Sequence, residues 1–207
     1  MQIILGVLTE GLVYAILSLG VYITYKILDF PDLSVDGTFP LGAAVTVAMI
    51  LLGAPIPLAM LVATAAGVIF GAVTGIINVK FKIRDLISGI IVMTALYSVN
   101  LRIAGKANVP LFSKQTLFEN DVLAKIFPEG MRQYSNLIIL VIIVLIAKIL
   151  LDFYLKTKSG FLLRAVGDND VLVTSLAKDK GNVKILGLAI ANGLAALAGS
   201  VYCQMNG

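Results

Sequence analysis

Between Ile56 and Val79 the chain carries no charged side chain. That run limits the fold more than any other feature. A helix that crosses a bilayer needs about 20 apolar residues, because about 30 Å of hydrocarbon must be covered at about 1.5 Å per residue. Five more apolar runs accompany it: Ile3 to Tyr25, Phe39 to Leu52, Leu86 to Val99, Leu137 to Leu155 and Ile185 to Met205. Together they fill most of 207 residues, of which 59% are hydrophobic and 14% charged. Soluble domains carry about 25% charged residues. A soluble core of this size could not hide so much apolar surface, so lipid must be the solvent. The pattern predicts one all-α domain over residues 1–207, a polytopic transmembrane helix bundle of about six spans. No room remains for a separate soluble catalytic domain.

Several chemistries drop out at once. Histidine is absent, which removes His-ligated metal sites, Ser-His-Asp triads and Cys-His pairs. Cys203 is the only cysteine, so no intrachain disulfide exists, and in its apolar run it reads as packing. No Gly-x-x-x-x-Gly-Lys-Ser/Thr run supplies a phosphate-cradling loop. The chain reads as no enzyme, with no metal or cofactor of its own. Its net charge of +4 fits basic loops at a membrane better than a nucleic-acid partner. Met1 and Gln2 form no basic leader, so the first apolar run reads as a span and not a cleaved signal.

The loops orient the bundle. Lys80, Lys82 and Arg84 crowd one short connection. Lys156, Lys158, Arg164, Lys178, Lys180 and Lys184 lie in the 156–184 connection. The 101–135 connection spreads its basic residues and offsets them with Glu119, Asp121 and Glu129. The positive-inside rule puts the first two in the cytoplasm and 101–135 outside. The N-terminus then lies outside, and the 26–38 connection lies on the cytoplasmic side.

The stretch Asp29-Phe-Pro-Asp-Leu-Ser-Val-Asp-Gly-Thr-Phe-Pro40 holds three aspartates between two apolar runs. Pro31 and Pro40 each remove a helical donor. Two readings stand: a cytoplasmic turn with N-capping aspartates, or a broken helix beside a polar pathway, tolerated only where protein or water covers it. Gly67, Gly71 and Gly75 form a stripe at four-residue spacing that admits a close helix neighbour, within the bundle or across a subunit interface. Gly187, Ala191, Ala195 and Gly199 repeat the pattern, on a run that also carries Asn192. Glu10 lies about two turns into the first span, where a charge is a functional candidate or reaches the interface. Lys148 is near enough to a span end to snorkel.

In the 156–184 connection, Asp168 and Asn169 are good N-caps. Val171, Leu172, Leu176 and Ala177 follow at helical spacing, and Gly181 is placed to end that helix. The apolar face needs cover from the bundle, the bilayer surface or a soluble partner.

Four blocks carry a family resemblance. The loop Thr157-Lys-Ser-Gly160-Phe-Leu-Leu-Arg164-Ala-Val-Gly167-Asp-Asn169, with the Asn192–Gly199 run after it, resembles ABC-importer permeases of the branched-chain amino acid and ribose type. Leu28 to Gly42, Ser88 to Arg102 and Gly105 to Leu111 resemble their tryptophan/tyrosine uptake subgroup. Such permeases continue for several helices past the point where this chain stops, which implies a chain shortened on its C-terminal side.

The resemblance implies a permease subunit of an ATP-driven importer for a small polar solute, an amino acid or a related compound, in a prokaryotic cell membrane. It implies a second permease copy, an ABC ATPase that binds the ATP, and an extracytoplasmic solute-binding protein. A coupling helix near 168–178 would seat Leu172 and Leu176 in the ATPase. Arg164 and Lys178 would lie at the rim of that contact, with Gly160, Gly167 and Asn169 in the same element. Asp32, Ser34, Asp36 and Thr38, together with Asn192, become candidates for the solute path. An ion-coupled secondary transporter and a non-transporting membrane subunit are the rivals. The first lacks a visible inverted repeat.

Overall fold

The structure is a computed structural model that describes residues 2–106, 109, 111, 114–118, 132–169 and 180–206. Among them every regular element is helical. We label the helices α1 (Gln2–Val21), α2 (Val35–Leu51), α3 (Ile56–Phe81), α4 (Asp85–Ala104), α5 (Arg132–Leu155), α6 (Lys158–Asp168) and α7 (Lys180–Asn206). A π-helical turn, Tyr22–Ile27, extends α1. Five helical stretches are long and apolar enough to cross a bilayer: α1 with its π turn, α3, α4, α5 and α7. The sixth apolar helix, α2, has 17 residues. At about 1.5 Å per residue it reaches about 25 Å, short of a full crossing. The chain is therefore a polytopic helical membrane bundle.

Connections follow local chemistry. Pro55 and Pro57 open α3, where a missing N–H costs no helical bond. Lys82, left-handed at φ 54°, closes it. The short link to α4 is held by Asn78, whose Nδ2 donates to the Ile83 carbonyl (2.8 Å) and to Asp85 Oδ1 (2.6 Å). Gly105 ends α4 at φ 70°, and its N–H donates to the Leu101 carbonyl. The glycine fits because an L side chain is strained there.

The bundle is built around α7. Of its most apolar stretch 67% is buried inside the chain, against 17–22% in the other four spans. It packs against α1, α2, α3 and α6, while α5 sits at the rim on α1 and α6. Small residues allow this. A Cβ on Gly67 or Gly71 would collide with the backbone of Asn192 or Leu188, and one on Gly75 would come within 2.7 Å of the Ile185 Cα. The glycine stripe thus faces α7 inside the chain. Gly42 meets the Ala196 carbonyl and Gly199 meets the Phe39 carbonyl, so α2 and α7 cross with glycine on both sides. Without a hydrophobic force between helices in lipid, such close contact is a main source of association. Tyr14, Phe39 and Tyr202 stack where α1, α2 and α7 meet, with centroids 5.6–6.3 Å apart.

Two regions differ from the sequence expectation. The interruption before α2 is shorter than 29–40. Non-helical backbone occupies only 28–34, and α2 runs through Pro40. Proline is tolerated there because its lost partner, the Asp36 carbonyl, is in the first turn of α2 beside a cavity. In the 156–184 connection, residues 158–168 are already helical. Thr157 caps α6 by accepting from the Gly160 N–H (3.3 Å), and Gly160, Leu163 and Val166 form the buried face at three-residue spacing. The expected helix near 168–178 lies outside the described residues, apart from its first positions.

The ends of the bundle sort cleanly. The start of the 28–34 segment, the α3–α4 link, α6 and the start of α7 share one end. Gly167 of α6 stands against the Ile27 carbonyl, and Gly187 of α7 stands against Leu28 and Leu163. At the other end the described part of the α4–α5 connection folds under the bundle. Leu111 is buried with Val47, Ile50 and Ala59, and Phe118 with Val13, Ile16 and Leu140. The Leu117 N–H donates to Gln204 Oε1 (3.0 Å).

Candidate functional site

Between the last bond of the π turn, from the Leu28 N–H to the Ile23 carbonyl, and the first of α2, on the Ser34 carbonyl, the chain enters the bundle as non-helical backbone. Phe30 is fully buried, and its N–H reaches back to the Thr24 carbonyl (2.9 Å). Gly89 of α4 makes room, since a Cβ there would lie 2.8 Å from the Leu33 nitrogen. This fold-back delivers Asp32 and Ser34 to Asn192, which is fully buried on α7.

Asn192 is the hub of a closed network. Its Oδ1 accepts from Thr38 Oγ1 (2.7 Å) and Ser34 Oγ (3.1 Å). Its Nδ2 donates to Asp32 Oδ2 (2.8 Å) and to the Leu188 carbonyl (3.0 Å). The other Asp32 oxygen accepts from the Ser34 N–H (2.8 Å) and Oγ (2.6 Å). An asparagine amide offers two donors and two acceptor sites; both donors are used, and its oxygen has the Thr38 and Ser34 hydroxyls within reach. The single Ser34 proton serves Asp32 at the shorter distance, so Thr38 is the main donor to Asn192. Asn192 stands against Gly67 and Gly71, the middle of the 26-residue α3. The network therefore lies at mid-depth. There an unmatched polar group costs roughly several kcal/mol, and a mutually bonded set fastens the start of α2 to α7.

Asp36 is placed differently. Two residues beyond Ser34, its side chain is exposed and lines a cavity of about 700 Å³ between α2 and α4. Its neighbour Gly37 packs on Met93 and Leu96, the middle of α4, so the carboxylate also lies at mid-depth. Facing hydrocarbon, a charge there costs about 2.5–3.5 kcal/mol on insertion scales. It must instead face water, a solute or a covering chain. Ala43, Ala44, Val47 and Met93 make the apolar walls; Thr94, Tyr97 and Asn100 bring polar atoms. These three recur at every third position, one face of α4. Sequence reasoning passed over that face, although the periodicity of polar residues on an apolar helix would have marked it. Asn100 Nδ2 donates to the Gly37 carbonyl (3.0 Å).

The remaining candidates fall elsewhere. Gly160 packs on Leu155 and the Tyr154 carbonyl, so this chain's own contacts account for it and for Gly167. Arg164 is exposed, and Asn169 closes α6 with its N–H on the Ala165 carbonyl (3.0 Å). Leu172, Leu176 and Lys178 lie outside the described residues. Glu10 is exposed on α1, and Lys148 pairs with Asp152 (2.7 Å) on the exposed side of α5. Among the described residues no group of three or more His, Cys, Asp or Glu could hold a metal ion.

The chain is 47% identical over 204 residues to the tyrosine transport system permease protein of Clostridioides difficile (strain R20291), covering 99% of this chain and 65% of that one. It is 37% identical over 207 residues to an uncharacterized protein of Rickettsia prowazekii (strain Madrid E), covering 100% and 70%. It is 28% identical over 148 residues to the guanosine ABC transporter permease protein NupP of Bacillus subtilis (strain 168), covering 70% and 42%. The chain thus spans less than two thirds of the length of the Clostridioides difficile relative. No solved structure matches significantly. Residues 3–207 match the family described as the permease component of branched-chain amino acid transport systems, and the chain belongs to that family.

Proposed function

We propose that this chain is the membrane-spanning permease part of an ATP-driven importer, and that its solute passes along the α2–α4 face. The observation that carries the reading is Asp36, a carboxylate at mid-depth beside a cavity of about 700 Å³. A volume of that size suits a small organic solute. The apolar walls suit a ring or aliphatic side chain, and the carboxylate suits an ammonium group. The relative named for tyrosine transport makes an aromatic amino acid the favoured solute. A second copy of the permease would cover the α2–α4 face and keep Asp36 from lipid. The 156–184 region would meet a separate ATPase that binds the ATP, with Leu172 and Leu176 as its apolar anchors and Arg164 and Lys178 at the rim. A solute-binding protein would deliver from outside the cytoplasmic membrane of a prokaryotic cell.

The test is uptake of radiolabelled tyrosine by cells carrying the whole transporter, with Asp36→Asn and Asp36→Ala variants. Both are expected to lower uptake by at least tenfold while the protein still reaches the membrane and binds its ATPase. Unchanged uptake in both would remove the pathway from this face. Uptake that persists without any ATPase and follows a proton or sodium gradient would favour ion-coupled transport.

A further inference from the structure

We propose that Lys106 is a solute-reading residue at one end of the α2–α4 cavity, and that its ammonium receives the carboxylate of the solute while Asp36 takes the amino group. The inference deepens the pathway reading and rests on it. Lys106 and Asp36 line the same cavity, and both side chains are exposed. Among the described residues the one ion pair is Lys148 with Asp152, so neither cavity charge is matched within them. The two charges stand at different heights. Gly37, next to Asp36, packs on Met93 and Leu96 of α4, whereas Lys106 lies two residues past Ala104, where that helix ends. Leu96 to Ala104 covers about 12 Å at about 1.5 Å per residue. The flexible stem of a lysine closes part of that distance, and the rest is room for a small molecule between the charges.

The Lys106 end is held in place by the fold. Gly105 turns the chain at φ 70°, and Val109 lines the cavity again. Leu111, buried with Val47, Ile50 and Ala59, anchors the connection on the ends of α2 and α3. Lys106 is therefore bracketed by a helix end and a buried anchor. One charge of each sign, with apolar walls between them, suits a zwitterion that carries an apolar side chain. Contacts between ammonium and carboxylate are charge-assisted and about twice as strong as neutral ones. An amine alone would meet its match only at Asp36, and an acid alone only at Lys106. The loop charges orient the Lys106 end outward, so a solute delivered from outside meets the lysine first.

The experiment reads the cavity directly, independent of the delivery protein. In whole transporter with Cys203→Ala, a cysteine is placed by Thr94→Cys on the exposed cavity wall. Its alkylation rate is measured with L-tyrosine, with tyramine, which lacks the carboxylate, and with 3-(4-hydroxyphenyl)propionate, which lacks the amine. Tyrosine is expected to protect at concentrations at least tenfold lower than either. Lys106→Gln is expected to reduce the preference over tyramine about tenfold, the loss of one charge-assisted bond, and to leave the preference over 3-(4-hydroxyphenyl)propionate in place. Lys106→Arg, which keeps the charge, is expected to behave as the parent. An unchanged preference over tyramine in Lys106→Gln overturns the role of Lys106. A fall of both preferences together in that variant reduces the lysine to a prop for the cavity and also overturns it, as does an equal loss in Lys106→Arg. Protection by none of the three compounds in the parent overturns the pathway reading itself.

Discussion

The two sides of the α2 start hold similar side chains in opposite conditions. Towards α7, Asp32, Ser34, Thr38 and Asn192 bond to one another, and both amide donors of Asn192 are used. Towards α4, Asp36 and Asn100 line a cavity, and Asn100 Oδ1 is buried without a hydrogen-bond partner among the described residues. Both sides carry an aspartate and an asparagine among apolar helices, so residue type does not separate scaffold from site. Saturation does. A polar set bonded within itself locks two helices, whereas a carboxylate exposed beside a cavity is open to a solute.

Four substitutions probe that contrast, from the largest expected loss of stability to the smallest. Gly42→Leu drives a side chain into the Ala196 backbone. Overpacking alone costs about 1–3 kcal/mol, and here the obstacle is backbone that cannot rotate away. Little monodisperse protein should be recovered in detergent, and a normal yield would mean the α2–α7 crossing yields more easily than its geometry indicates. Asn192→Leu leaves Asp32, Ser34 and Thr38 facing an apolar side chain. With interhelical bonds worth about 0.6–1.7 kcal/mol and orphaned groups costing about 1–3 kcal/mol, thermal unfolding should fall by the equivalent of about 2–4 kcal/mol. A loss near zero would show that the network contributes no fastening. Thr38→Val removes one donor and keeps the shape; about 1 kcal/mol is expected by the same assay. Asp36→Asn should move unfolding least of the four, within about 0.5 kcal/mol, and yet stop uptake. A variant that loses stability there instead would place Asp36 on the scaffold side and erase the distinction.

Much of the lock was legible in the sequence, although its condition was not. Asp32, Ser34, Thr38 and Asn192 stand out as polar residues in apolar surroundings, which is costly enough to need a reason. Nothing in their spacing says that residues 154–160 positions apart meet, so a closed network and an open one look alike on paper. The glycine stripe was readable as close packing, and only the fold could say that its neighbour is α7. The α4 wall went unmarked because Thr94, Tyr97 and Asn100 carry no charge and lie three apart, a weak signal beside the aspartates. Helix α6 was hidden for another reason. Its Gly160 and Gly167 weaken the helical signal, while the capping by Thr157 and the buried Leu163 and Val166 make it a helix in context.

Helix α7 runs without a break from Lys180 to Asn206. Asn192 sits about 18 Å along it, at about 1.5 Å per residue. A rod of that stiffness cannot absorb displacement between its ends. Any push at the Lys180 end, where α6 is seated, is a push on Asn192. Through Asn192 it becomes a pull on Asp32, Ser34 and Thr38, and so on the first turn of α2 that presents Asp36 to the cavity. The glycines beneath α7 then have a second consequence. They let α3 lie directly on α7, so a displacement of the rod reaches that helix as well.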